Sequence, residues 1–144
     1  MSSHTQPSGQ AGGQPSGLPT QLRDHDDAAT RRSLMRENES AILLAEAGYI
    51  VEQNPSVPGS KKPDYKIEGK IFDCYAPETP DAYNIVETMR RKVGRRQCDR
   101  IVLNLEDSQV SRDTLIKQLK YNPIPSLQEI IIVSQGSILP FFPF

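Results

Sequence analysis

The spacing of apolar side chains divides this chain into helical and extended segments. Apolar positions recur at helical spacing over residues 27–47, 82–96 and 111–122. Short apolar runs bounded by Gly, Pro, Asn or Asp predict strands at residues 49–53, 64–75, 99–105 and 129–134. The C-terminal run GSILPFFPF is short and apolar, and we expect it to pack on an edge of the sheet. Strands that alternate with helices after an opening hairpin predict an α/β fold with a mixed central β-sheet flanked by helices.

The stretch DYKIEGKIFDCY reads as a β-hairpin that turns at Glu68-Gly69. In that register Ile67 pairs with Lys70, and Asp64 therefore lies directly opposite Asp73. Opposed side chains of an antiparallel pair have Cβ atoms about 4.5–5.5 Å apart, and like charges at that distance are destabilising. A divalent cation held by oxygen ligands would remove the repulsion. The alternative is a pair of solvated carboxylates at a frayed hairpin end.

The helix predicted over residues 82–96 carries a lysine on its apolar face. Ile85, Met89 and Val93 define that face at helical spacing, and Lys92 falls within it. Lysines are rarely buried without a partner. Two interpretations stay open at this point: the ammonium reaches water along the helix edge, or it reaches the aspartate end of the hairpin and there polarises a bound phosphate.

A third acid lies on the first helix, where two glutamates have similar claims. Glu39 follows Met35 and precedes Ile42 at helical spacing, and Glu37 has the same relation to Leu34 and Leu44. Periodicity does not decide between them.

Charge is balanced over the whole chain but clustered locally. The formal net charge is −1, so no global field drives the protein onto nucleic acid. The second helix and the residues after it nevertheless carry a basic cluster, made up of Arg90, Arg91, Lys92, Arg95, Arg96 and Arg100. Such a run is either a solvated helix face or, beside an acidic metal site, a grip on the phosphates of a nucleic acid.

Residues 1–26 are rich in Ser, Gln, Pro and Gly and carry few apolar side chains. Such a segment buries too little surface to offset its ordering entropy, which predicts a disordered linker followed by one folded domain over residues 27–144.

No apolar run approaches the roughly 18 residues of a membrane span, so we expect no stable membrane association. Cys74 and Cys98 show no metal-type spacing, and we interpret them as small buried side chains.

The order of these features resembles a known family of nucleases. A glutamate on a first helix, then PD, a hairpin and a second acid resembles the restriction-endonuclease-like core of PD-(D/E)XK metal-dependent nucleases. More closely, the runs RENESAILLAEAGY, KKPDYKIEGKIFDCYAPET, RRKVGRRQCDRIVLNL and EIIIVSQGSILPFFP resemble the C-terminal toxin domain of contact-dependent growth-inhibition effectors of the CdiA type, in the tRNA-cleaving branch. The resemblance covers residues 33–143.

The resemblance implies a role for each acid. PDY makes Asp64 the first metal-binding carboxylate and FDCY makes Asp73 the second, while RENES makes Glu39 the helix acid and metal ligand. The preference for Glu39 over Glu37 rests on resemblance alone.

One position departs from the nuclease pattern. That pattern places a lysine two residues after the second acid, where this chain has Tyr75. The resemblance implies that Lys92 supplies the catalytic charge from the next helix instead, which agrees with its inward position.

The family further implies a cofactor, a substrate and a partner. The cofactor would be a divalent metal, Mg²⁺ by preference for carboxylate ligands, with Mn²⁺ or Zn²⁺ as alternatives. The domain would be delivered from the cell surface as part of a larger effector, act on tRNA in the cytoplasm of the target cell, and be blocked by a cognate immunity protein. The basic residues expected to hold the RNA backbone are Arg90, Arg91, Arg95 and Arg96.

Two other functions remain open from the residues. The same constellation would serve a DNA endonuclease of the PD-(D/E)XK type. A non-catalytic α/β module that binds nucleic acid or protein would instead leave the acids solvated and bind no divalent cation.

Overall fold

A computed structural model describes residues 4–59, 61–95 and 98–144 of the chain. The helices are α1 (Ala28–Glu46), α2 (Ala82–Gly94) and α3 (Arg112–Tyr121). The strands are β1 (Ser16–Gly17), β2 (Val51–Gln53), β3 (Tyr65–Ile67), β4 (Lys70–Tyr75), β5 (Arg100–Asn104), β6 (Glu129–Ser134) and β7 (Ser137–Phe142). Among these helices none combines the length and apolar composition needed to cross a membrane.

The strands form one sheet of seven in sequence order, from β1 to β7. The strands β4, β5 and β6 run parallel, with α2 and α3 as the connections between them. The pairs β2–β3, β3–β4 and β6–β7 are antiparallel, and β1 adds a short parallel edge beside β2. The predicted mixed sheet is confirmed, and the C-terminal apolar run forms the edge strand β7.

Side chains that alternate along β5 and β6 build a core on each face of the sheet. Ile101 and Ile130 face α2 and α3, whereas Val102 and Ile131 face α1. All four side chains are fully buried. Burial on both faces is why these strands read as unbroken apolar runs, and the flanking helices predicted from the sequence lie on both sides of the sheet.

The hairpin between β3 and β4 has the register predicted from the sequence. Ile67 pairs with Lys70 and Tyr65 pairs with Phe72. Glu68 and Gly69 both have positive φ, 51° and 80°, which is the backbone of a two-residue type I′ turn. The next opposed positions along the two strands are therefore Asp64 and Asp73.

The described part of the N-terminal segment, residues 4–26, lies along the domain, although the sequence predicts a disordered linker there. The Thr5 amide and hydroxyl donate to the buried carboxylate of Glu129 at 2.7 and 2.6 Å. Ser8 donates to Glu68 in the same two-fold way, at 2.9 and 2.5 Å. The strand β1 then pairs with β2. These contacts are polar and backbone ones, so the hydrophobic pattern carries no signal for them.

Asp107, just after β5, ties α1 to the sheet. The Arg36 guanidinium donates two parallel hydrogen bonds to its carboxylate, both at 3.0 Å, and Arg32 adds a third at 2.7 Å. Hydrogen bonds from both guanidinium groups hold the pKa of Asp107 at about 2. Bidentate arginine–carboxylate pairs are both stronger and more directional than single ion pairs, so this contact fixes where α1 begins its course across the sheet.

We expect Asp107→Asn to lower the free energy of unfolding by about 1–2 kcal/mol at pH 7, because two guanidinium groups lose their anionic partner. The folded-state pKa is depressed, so this stabilisation is present above the unfolded value near 4 and is lost as pH falls toward 2. Urea titrations followed by circular dichroism at pH 7 and pH 3 should show the difference from wild type narrowing at the lower pH. Asp24→Asn, at an exposed position, is the control. An equal loss of unfolding free energy in both variants would contradict the stabilising role of the Asp107 ion pairs.

Candidate active site

The candidate site lies where β3 and β4 part. β4 pairs with β3 only as far as Phe72, and from Asp73 onward its partner is β5 on the other side. Beyond Phe72 the edge of β4 that faced β3 has no strand partner in the described part of the chain, and Asp64, just before β3, binds there. Its carboxylate accepts a hydrogen bond from the Cys74 amide at 2.8 Å. The Asp64 amide in turn donates to the Asp73 carboxylate at 3.3 Å. The two aspartates are therefore held together by the backbone at the end of a hairpin.

Burial makes this pair electrostatically costly. Asp73 is 7% exposed and Asp64 is half-buried. Burial, with the nearby Glu37 carboxylate, raises the pKa of Asp64 to about 7, although the Cys74 amide and Lys92 oppose the shift. Burial and the charge of Asp64 raise the pKa of Asp73 in the same direction. The frayed, solvated hairpin end that the sequence left open as an alternative does not describe these side chains.

Lys92 supplies positive charge beside the pair, on the face where the helical periodicity of α2 places it. Its ammonium lowers the pKa of both Asp64 and Asp73. The Lys92 Nζ also lies 5.6 Å from the centre of the Tyr75 ring, a cation–π contact that fixes its direction. Tyr75, the residue that departs from the nuclease pattern, thus orients the lysine that the pattern expects nearby.

The structure brings Glu37, and not Glu39, close to Asp64. The Glu37 side chain is buried, and its charge contributes to the raised pKa of the Asp64 carboxyl. Glu39 lies on the neighbouring side of α1, where Arg36 donates to its carboxylate at 2.6 Å and Asn104 at 3.3 Å. The buried residues of α1 are Glu37, Ser40, Ala41, Leu44 and Ala45. That set is one stripe at helical spacing, and it contains Glu37 but not Glu39.

The basic residues of α2 divide into engaged and exposed ones. Arg90 donates to the backbone carbonyls of Asn122 and Pro123 at 2.9 and 3.0 Å, and so ties α2 to the loop after α3. Arg91 and Arg95 are exposed at the end of α2. Arg96 lies outside the described residues. Of the four arginines predicted to hold a nucleic acid, the structure leaves Arg91 and Arg95 accessible and gives Arg90 a structural contact.

A metal ion fits the acids only with outside ligands. Within residues 4–59, 61–95 and 98–144, no group of three or more His, Cys, Asp or Glu side chains is arranged to hold a metal ion. Asp64 and Asp73 nevertheless present two close carboxylates with raised pKa values, a donor set that favours a hard cation completed by water and phosphate oxygens. Burial raises the pKa of Cys74 and of Cys98 to about 12, so neither thiol ionises to a thiolate ligand near neutral pH.

Sequence reasoning missed the polar residues that support Glu37. The Tyr65 hydroxyl donates to the Glu37 backbone carbonyl at 2.6 Å, and the Thr20 hydroxyl donates to its carboxylate. Thr20 belongs to the segment predicted as linker, and no spacing rule connects it to α1. Tyr65 had a signal, since it alternates with Ile67 on the apolar face of a predicted strand, where a tyrosine hydroxyl needs a partner.

Comparisons with known proteins agree on one family. Residues 61–138 match the family model described as contact-dependent growth inhibition CdiA C-terminal domain. The chain is 46% identical over 129 residues to a protein of Burkholderia pseudomallei (strain 1026b) named tRNA nuclease CdiA-2. This alignment covers 90% of the chain but 4% of that relative.

A solved structure extends the agreement to the fold. The structure titled CdiA-CT/CdiI toxin and immunity complex from Burkholderia pseudomallei matches with a TM-score of 0.83 at 46% identity. The match covers 88% of this chain and 96% of that chain. The mixed sheet and its flanking helices are therefore the architecture of a solved toxin domain.

In EDTA, we expect Asp64→Asn to be more stable than wild type at pH 8 by about 1–2 kcal/mol and equally stable near pH 4. The folded-state pKa of about 7 lies above the unfolded value, so the folded state holds this proton more tightly, and stability falls as pH rises from 4 to 7. Asparagine resembles the neutral carboxyl and keeps an acceptor for the Cys74 amide. Urea unfolding midpoints of both proteins at pH 4 and pH 8 measure the effect. The same difference in midpoint between Asp64→Asn and wild type at both pH values would contradict the prediction.

Proposed function

This chain belongs to the contact-dependent growth inhibition CdiA C-terminal domain family, and on that premise we propose that it is a toxin domain that cleaves tRNA by metal-assisted phosphodiester hydrolysis. The observation that carries the chemistry is the buried Asp64–Asp73 pair with Lys92 beside it. The name of the Burkholderia relative supports tRNA as the substrate. The arrangement of hairpin, acids and inward lysine supports a PD-(D/E)XK-like core.

A partner and a delivery route follow from the same relatives. The solved toxin–immunity complex supports a cognate immunity protein that blocks this domain in the producing cell. The small share of the Burkholderia relative that the chain covers supports delivery as part of a larger effector, with action in the cytoplasm of the target cell.

Asp64 and Asp73 would hold the divalent metal, with Mg²⁺ the best match to two carboxylates. When bound, such an ion lowers the pKa of a coordinated water and neutralises charge that develops on the scissile phosphate. The protein's own contribution is to hold both carboxylates in one place. The Cys74 amide orients Asp64, and the Asp64 amide orients Asp73, so neither side chain is free to turn away.

Lys92 stabilises the negative charge that builds on the phosphate oxygens in the transition state. Its ammonium lies beside both acids, and the Tyr75 ring limits its directions. A preorganised donor costs no reorganisation at the moment of reaction, which is why a lysine held by an aromatic ring is suited to this role.

Glu37 takes the place of Glu39 as the helix acid. It is buried, close enough to Asp64 to raise the pKa of that carboxyl, and carried on the stripe of α1 that faces the sheet. In this position it orients Asp64 and can accept a proton from an attacking water. Glu39, neutralised by Arg36, instead belongs to the network that joins α1 to Asp107.

The exposed basic side chains of α2 hold the RNA backbone. Arg91 and Arg95 are accessible close to Lys92, and Arg96 follows them in the chain. Contacts between arginines and phosphates are independent of sequence and sensitive to salt, so these residues contribute affinity and leave the choice of tRNA to other contacts.

We expect Glu37→Gln and Asp73→Ala to reduce tRNA cleavage by about 100-fold or more, and Glu39→Gln to change it by less than about threefold. The two glutamine variants make the same chemical change two residues apart on one helix, so each is the control for the other. Purified protein is incubated with total cellular RNA, with Mg²⁺ or with EDTA, and fragments are resolved on denaturing gels.

The outcomes of this assay separate the competing functions. Activity lost with Glu39→Gln and kept with Glu37→Gln would restore the assignment based on resemblance. Intact RNA beside cut plasmid would identify a DNA endonuclease, and no cleavage of either under all metals tested would favour a binding module without catalysis.

We expect Arg91→Ala and Arg95→Ala each to reduce the slope of log K against log salt for tRNA binding by about 1, because each removes one phosphate contact. Binding is measured by filter retention with the Asp73→Ala background at several salt concentrations. Arg90→Ala on the same helix is the matched control: it should lower the melting temperature and leave the slope unchanged, since its guanidinium is held by backbone carbonyls. A slope that falls only with Arg90→Ala would reverse the assignment.

A further inference from the structure

The N-terminal segment reaches the candidate active site through one hydroxyl group. Thr20 Oγ1 donates a hydrogen bond to Glu37 Oε2. We propose that Thr20 is a positioning residue, which fixes the Glu37 carboxylate in the orientation that meets Asp64. This inference rests on the proposed function and adds to it a part of the site that lies in the segment predicted as linker.

The Thr20 backbone is itself held in place from α1. The side-chain amide of Asn38 accepts from the Thr20 amide and donates to the Thr20 carbonyl, both at 2.9 Å. Gln53 on β2 donates to the same Asn38 oxygen at 2.9 Å and so fixes the amide in one orientation. Thr20 is therefore attached to the helix turn that carries Glu37, and the two residues keep their relative position.

A second contact decides which way the Thr20 hydroxyl points. Asn54 Nδ2 donates to Thr20 Oγ1 at 3.1 Å. A hydroxyl has a single proton to donate, and with its oxygen accepting from Asn54 that proton is directed at Glu37. The contact with Asn54 thus fixes the orientation of the Thr20 hydroxyl, so its hydrogen bond to the Glu37 carboxylate does not depend on a freely rotating group.

The effect on Glu37 follows from burial. A carboxylate in a low-dielectric site gains more from a hydrogen bond than one in water, and it turns toward whatever donor remains when one is lost. With Oε2 occupied by Thr20, the carboxylate plane is fixed relative to Asp64. Side chains that support the ligands of metal sites change activity by about 10–100-fold when they are removed. Thr20 acts on this scale through Glu37, the side chain that orients Asp64.

The same segment offers a matched control. Thr5 Oγ1 donates to the buried Glu129 carboxylate at 2.6 Å, with Arg100 Nε 3.3 Å from the same oxygen. Glu129 lies on β6, two strands from β4 in the sheet. Thr5→Val and Thr20→Val therefore each remove one threonine–carboxylate contact from one segment, and only Thr20→Val touches the candidate site.

The test compares Thr20→Val, Thr20→Ser and Thr5→Val in steady-state tRNA cleavage. We expect kcat to fall about 10-fold or more in Thr20→Val with KM within about twofold of wild type. Thr20→Ser keeps the hydroxyl and should restore most of kcat, and Thr5→Val should leave it within about twofold. The melting temperature of each variant shows that the proteins are folded under the assay conditions.

A merely structural role gives a different pattern. The proposal is overturned if Thr20→Val keeps the wild-type kcat. It is also overturned if Thr20→Ser or Thr5→Val loses as much kcat as Thr20→Val.

A second readout separates failure of this inference from failure of the proposed function. The ¹³Cδ signal of Glu37 should shift in Thr20→Val and stay near wild type in Thr20→Ser and Thr5→Val, whether or not the protein cuts RNA. An unchanged Glu37 signal in Thr20→Val overturns the positioning contact. A wild-type protein that cuts no nucleic acid overturns the proposed function, and with it the catalytic meaning of Thr20.

Discussion

The site depends on the fixed register of one short hairpin. Asp64 and Asp73 repel each other, and they stay together because Tyr65, Ile67 and Phe72 are fully buried in the core against α1. A slip of one residue would move that apolar set to the opposite face of the sheet and expose it. The free energy of burying three large side chains thus opposes the separation of the two carboxylates. The two-residue turn at Glu68-Gly69 also allows only one register between β3 and β4.

The rest of the site is arranged around the end of that hairpin. β4 leaves β3 at the point where Asp73 begins to pair with β5, so the sheet itself makes the gap that Asp64 fills. Layers on both faces then contribute: Glu37 reaches the gap from α1 on one side and Lys92 from α2 on the other. Acidic side chains gathered in this way are costly for folding, and contacts that take no part in the proposed chemistry, such as Arg36 with Asp107, contribute compensating stability.

The features that follow from periodicity could be predicted from the sequence. Turn chemistry and alternation were enough to predict the hairpin register. Helical spacing was enough to place Lys92 on the apolar face of its helix, but it did not decide whether the ammonium reaches the acids or water. Helical spacing did not decide the helix acid, because Glu37 and Glu39 both have apolar neighbours at that spacing. Resemblance favoured Glu39, and only the packing of α1 shows that Glu37 lies on the buried stripe with Ser40 and Leu44. The structural contact of Arg90 could not be predicted in this way, because its carbonyl partners lie in a loop whose position no local pattern specifies.

The N-terminal segment shows why composition alone misplaces the boundary of a site. A chain with few apolar side chains gains little from the hydrophobic effect, and its ordering entropy then argues for disorder. Buried carboxylates change that balance, because a hydrogen bond to an ionised group contributes more than one between neutral groups, and a carboxylate left unpaired costs the folded domain its desolvation. Glu129 and Glu37 each accept from a threonine of this segment. Two buried carboxylates, one outside the candidate site and one within it, therefore hold a polar segment on the surface of the domain, and a boundary drawn by hydrophobicity would remove the hydroxyl that donates to Glu37.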